Sequence, residues 1–189
     1  MKNKLNQNGF TLVELLATMA ILSALMLIAI PNVIGIVQKN KNKTYIEDAK
    51  KLETLATYKV RSNPTELKPS KGQSYCFLLP FLDKSNELSE PPNGGVYDKS
   101  TSYVIVTNAN GTLKYYVQLI ENKGSLKIGI KEVESTELYK DNATTNVKST
   151  SFEPKKPTNA SKYFYKNNSY AESYEDALKK LGNNGQPLY

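Results

Sequence analysis

The sequence predicts an α+β fold: one long N-terminal helix packed on an antiparallel β-meander of about three to four strands. Three observations predict it. Phe10 to Ile30 is a run of 21 residues whose only charge is Glu14. Further on, Tyr45, Ala49, Leu52 and Ala56 recur at helical spacing with charged residues between them, the stripe of a helix with one buried face. The segments 102–107, 112–120 and 125–133 then alternate apolar and polar residues or are rich in β-branched and aromatic ones, as strands are.

The elements follow in order. Residues 1–9, MKNKLNQNG, form a short polar, basic leader. Residues 10–37 form a hydrophobic helix, and its uncharged run matches the roughly 20 residues that span a hydrocarbon core. Residues 38–63 continue as the amphipathic half of the same helix. Nothing between Val37 and Tyr45 breaks it, so Phe10 to about Arg61 reads as one helix about 75 Å long, with a kink or loosened turn at Pro31. That is more than a membrane needs, and the second half must serve a globular head. Pro64 ends the helix.

Residues 64–189 are the head. It opens with a proline-rich loop holding an apolar knot, Tyr75 to Leu82, expected to pack on the helix. The meander occupies about 102–133, with NANG as the turn between its first two strands. Residues 134–189 are a variable C-terminal region. Within it, 141–162 reads as a long surface loop, KYFYK as a last strand, and SYEDALKKLG as a short helix capped by Ser173 and stopped by Gly182.

Composition excludes several classes of function. The 189 residues include no histidine and a single cysteine, which removes the usual general base, the commonest zinc ligand and any intrachain disulfide. No catalytic constellation, metal site or cofactor site is expected, and the chain reads as a non-enzyme. Cys76, in SYCFLLP, reads as a small buried apolar residue. The net charge of +7 reads as a solvated lysine-rich surface. Tyr163, Tyr165, Tyr170 and Tyr174 read as anchors for a disulfide-free region; as a stacking surface the same cluster would suit DNA.

Glu14 asks for an explanation, because a carboxylate inside a membrane span is costly. A basic leader, a Gly-Phe junction and the sequence GFTLVELL precede a long hydrophobic helix with a proline about two-thirds along. In this the chain resembles type IV prepilins and the related pseudopilins. The resemblance is close over residues 1–37 and architectural over the head. It implies cleavage between Gly9 and Phe10 by a membrane prepilin peptidase, which also N-methylates Phe10, and it implies assembly roles for Glu14 and Pro31. Many pilins close a C-terminal loop with a disulfide; Cys76 alone cannot.

The resemblance implies a structural pilin of a type IV pilus-like filament. Its partners would be further copies of itself, the peptidase and N-methyltransferase, the assembly machinery and the membrane. The precursor would be a single-pass protein of the cytoplasmic membrane, and the product a cell-surface filament. Two alternatives stay open: a pseudopilin of a type II secretion or DNA-uptake system, and a single-span anchor presenting a binding head. On the pilin reading, the ammonium freed at Phe10 needs a partner in an apolar core, where leaving it unpaired would cost several kcal/mol. Glu14 would supply that charge to a neighbouring subunit.

Overall fold

Helix α1 spans Leu12–Ser62 in a computed structural model that describes residues 10–182. Gly9, the rest of the leader and residues 183–189 lie outside the described residues. The chain divides into two compact units, Met1–Asn40 and Lys41–Tyr189.

In the first unit, every described side chain from Phe10 to Asn40 is exposed, including Leu15, Leu16, Ile21, Leu22, Leu25 and Ile34. Pro31 lies inside the helix. The sequence places apolar side chains on all sides of this segment, so no single face could cover them.

In the second unit, α1 buries Tyr45, Ala49, Leu52 and Ala56, as their spacing predicts, and adds Ile46 and Val60. The alanines let the sheet approach the helix closely. Pro64 ends α1 and starts the short α2 (Pro64–Leu67), where its missing N–H is harmless. The strands are β1 (Ser74–Leu78), β2 (Val96–Tyr97), β3 (Tyr103–Ala109), β4 (Thr112–Lys123), β5 (Leu126–Glu134), β6 (Val147–Lys148), β7 (Lys162–Lys166) and β8 (Ser169–Ala171). Short helix α3 (Leu79–Leu82) follows β1, and α4 (Tyr174–Leu181) follows β8.

The meander β3–β4–β5 forms where the sequence put it, antiparallel throughout. The sheet around it is larger than three to four strands: eight strands, with β6-β5-β4-β3-β1-β7-β8 in order and β2 paired beside β4. It is also mixed, because β1 pairs parallel with β7 through Cys76↔Tyr163 and Phe77↔Phe164. The expected apolar knot is strand β1, inside the sheet, followed by α3, and its Tyr75, Phe77, Leu79, Phe81 and Leu82 share the core with α1 as expected. A continuous apolar run is what a strand covered on both faces looks like, and period alone does not separate it from other buried segments.

Side chains alternate across the sheet. Phe77, Val104, Val106, Val117, Leu119 and Phe164 share the core with α1. Cys76, Leu78, Tyr103, Ile105 and Tyr163 point to the other face, where Tyr174 and Ala177 of α4 cover them. Cys76 is buried and free, as expected. Ser173 caps α4 by accepting from the Asp176 N–H at 3.2 Å, as the sequence predicts.

The expected surface loop over 141–162 holds for 149–161, which forms no helix or strand and is mostly exposed, and is corrected before it. Residues 141–148 contain a 3-10 turn, Ala143–Asn146, and strand β6. The remainder is strapped to the second face of the sheet by Gln118, which is fully buried. Gln118 Nε2 donates to Lys155 O at 2.9 Å, and Lys155 N–H donates back to Gln118 Oε1 at 3.1 Å. The Tyr103 hydroxyl adds a bond to Lys155 O at 3.2 Å. The buried Gln118 amide thus satisfies both backbone groups of Lys155, while most side chains of 149–161 stay in solvent.

Candidate functional site

The N-terminal segment concentrates the residues singled out by the sequence. Phe10, Glu14 and Pro31 are described there, while Gly9 lies outside the described residues. Glu14 stands at the third position of α1 and closes a ring with Thr11. Thr11 N–H and the Thr11 hydroxyl both donate to Glu14 Oε2, at 2.9 and 2.8 Å. In return, Glu14 N–H donates to Thr11 Oγ1 at 3.2 Å. This is a capping box: residue and backbone satisfy each other's unpaired groups at a helix start. The carboxylate also lies at the positive end of the helix dipole.

Thr11 was missed as a site residue. The signal was present in TLVE, since a threonine followed by glutamate three residues on is a capping-box spacing. The arrangement fixes the Glu14 carboxylate one residue from the backbone nitrogen of Phe10, where cleavage after Gly9 would expose an ammonium. Further along, Thr18 and Ser23 turn their hydroxyls back to Leu15 O and Met19 O, at 2.9 and 2.8 Å. Their polar groups are thereby satisfied within the helix, which lowers the cost of an apolar surrounding. One helix of the described residues is long and apolar enough to cross a membrane, and the apolar window is wholly exposed.

A second group of polar contacts joins the amphipathic half of α1 to the head. Asp48, 2% exposed, accepts from the Tyr97 hydroxyl at 2.6 Å and from Ser89 N–H at 3.1 Å. Tyr45 donates its hydroxyl to Glu121, which is fully buried. Glu121 also accepts from Gly95 N–H at 2.8 Å and Asn93 N–H at 3.3 Å. Burial, with the Asp48 carboxylate beside it, pushes the Tyr97 phenol well above the ordinary tyrosine range. Burial and Glu121 do the same to Tyr45. Both therefore stay neutral donors, and they pin the 89–97 segment to the helix.

Cys76 gives the head no activated thiol. Burial pushes the Cys76 thiol up, and the charge of Glu132 adds to it, so the thiolate form is suppressed. Among the described residues no group of three or more His, Cys, Asp or Glu side chains is placed to hold a metal. The C-terminal tyrosines divide between roles: Tyr163 and Tyr174 are buried in the second core. Tyr170 is exposed, with the Lys162 ammonium 4.5 Å from its ring centroid.

Residues 4–30 match the family model described as the prokaryotic N-terminal methylation motif. No curated protein and no solved structure matches the chain. The motif implies processing by a prepilin peptidase and entry into pilus-type machinery, and with the apolar helix it fits a membrane-anchored precursor. The long helix on a several-stranded sheet is consistent with a pilin-like architecture. Through residues 4–30, followed by that helix and sheet, the chain carries the class III signal of the type IV prepilin and pseudopilin family.

Proposed function

We propose that the protein is a structural pilin: a precursor cut between Gly9 and Phe10, methylated on Phe10, and polymerised through the N-terminal half of α1 into a cell-surface filament. Its work is mechanical, and it performs no enzymatic turnover. The observation that carries this reading is the Thr11–Glu14 ring at the start of a wholly exposed apolar helix. Burying that helix among its own copies removes the apolar surface from water or lipid. The new Phe10 ammonium then enters a low-dielectric core, where it needs a counter-charge, and Glu14 of a neighbouring copy supplies it.

The test combines N-terminal mass spectrometry with fractionation in the native host. The mature chain should begin with a methylated Phe10. Glu14→Ala should remain in the membrane and still lose its leader, but should drop out of the sheared surface fraction. Glu14→Asp should be intermediate, since the charge survives on a shorter arm. Glu14→Ala filaments formed as efficiently as those of the parent would remove the charge-pair explanation. Processed protein that never reaches the sheared fraction, even unaltered, would mark a pseudopilin rather than a filament pilin.

A further inference from the structure

Lys41, Asn93, Glu121 and Tyr45 meet at one place in the Lys41–Tyr189 unit. Lys41 Nζ donates to Asn93 Oδ1 at 3.0 Å, across 52 residues of chain. The other edge of the same amide faces a buried acid. Asn93 Nδ2 lies 3.3 Å from Glu121 Oε2 and 2.9 Å from the Tyr45 hydroxyl oxygen. That hydroxyl is itself bonded to Glu121 Oε2. An amine thus sits on the oxygen side of a carboxamide, and an acid group, fully buried, sits on its nitrogen side.

We propose that this is a site of intramolecular transamidation, in which Lys41 becomes joined to Asn93 by an isopeptide bond. Lys41, half-buried, releases one proton to water, and its free amine adds to Asn93 Cγ. The Nζ–Cγ bond forms while the carbonyl pair moves onto Oδ1. Glu121 takes a second proton from Nζ and returns it to Nδ2 as the Cγ–Nδ2 bond breaks and the carbonyl re-forms. Ammonia leaves and is protonated by water. One alkylammonium and one carboxamide thereby become one secondary amide and one ammonium ion, with no oxidant or other reagent. Glu121 is a catalytic residue here, because it touches the leaving nitrogen. The fold supplies the proximity that such a reaction lacks in solution.

Two features favour this over a simple hydrogen bond. A lysine–asparagine bond has no need of a buried acid on the far side of the amide, whereas transamidation has. The competing nucleophile, the Gly94 nitrogen that would close a cyclic imide on Asn93, is held away by its own bond to Pro91 O at 3.0 Å. The bond would tie α1 to the 91–95 turn covalently, a staple that a chain with one cysteine cannot make as a disulfide.

The full chain, extracted in detergent and denatured, is digested with trypsin. The expected product is a branched peptide in which segment 40–43, uncut at Lys41, is joined to segment 85–99 with the loss of one ammonia. Lys41→Arg should abolish it, and Glu121→Gln should strongly reduce it. Only linear peptides, with cleavage after Lys41, would overturn the proposal. So would an ammonia loss at Asn93 that survives Lys41→Arg, which is the mark of the cyclic imide. A Glu121→Gln chain that cross-links as completely as the parent would overturn the role of Glu121. The parent digest decides the bond itself without requiring any variant to fold.

Discussion

Replacing Tyr97 by phenylalanine removes one oxygen atom and leaves the ring where it is, edge-on to Tyr45 with centroids 6.5 Å apart. The change therefore isolates the hydroxyl. In the parent that hydroxyl donates to Asp48 Oδ2 at 2.6 Å, and Asp48 is 2% exposed. The Ser89 N–H bond reaches the other oxygen, Oδ1, so it does not substitute. A hydrogen bond to a charged group is worth about 1.5–3 kcal/mol, and burial of the acceptor places this one at about 2–3 kcal/mol. Tyr139 provides the contrast. It makes an equivalent bond to Glu53 at 2.9 Å, but its side chain is 59% exposed, so Tyr139→Phe should cost less than about 0.5 kcal/mol. The assay is urea denaturation of a soluble fragment beginning at Gln38, which itself should unfold cooperatively because the α1 stripe keeps its sheet. The Tyr97→Phe midpoint should fall with unchanged slope, and Tm by about 5–10 °C. Equal, small losses for the two variants would refute the reasoning, because the buried carboxylate would then be satisfied without its phenol.

The remaining predictions concern the same unit. Gly129→Ala should destabilise the head by more than about 2 kcal/mol, since its backbone has φ +129° and an added Cβ would lie 2.3 Å from Leu119 O. Gly111→Ala, with φ +100° but open space around it, should cost only about 1–2 kcal/mol; equal losses in thermal melts would contradict the steric argument. Alkaline pH should unfold the head steeply. Burial, reinforced by nearby carboxylates, raises Tyr45, Tyr97 and Tyr103 above the ordinary 10.0, and burial raises Tyr139 to about 12 with help from Glu53. A raised phenol contributes stability that is complete below pH 10.0 and is lost as the pH rises toward the folded value. Each of the more deeply buried Tyr45, Tyr97 and Tyr103 should remove about 1.4 kcal/mol per pH unit in that range, whereas the exposed Tyr139 contributes little because solvent screens its carboxylate partner. A denaturation midpoint that stays flat from about pH 10 to 12 would count against buried phenol donors.

Local pattern alone determined much of this protein. The hydrophobic segment, the Tyr45–Ala56 stripe, the meander over 102–133, the KYFYK strand and the Ser173-capped helix each follow from neighbours within a few residues. The tendencies behind them, helical period, strand alternation and capping, act at that range. The Thr11–Glu14 cap was legible for the same reason, since the TLVE spacing encodes it. Only the tertiary structure decided that SYCFL is an inner strand lying parallel to KYFYK, because residues 87 positions apart must meet for that pairing to exist. It also decided that the polar 149–161 stretch is strapped down by Gln118, and that Lys41, Asn93 and Glu121 share one site. Such contacts depend on which groups the fold leaves buried and in need of a partner, and no periodicity in the chain records that need.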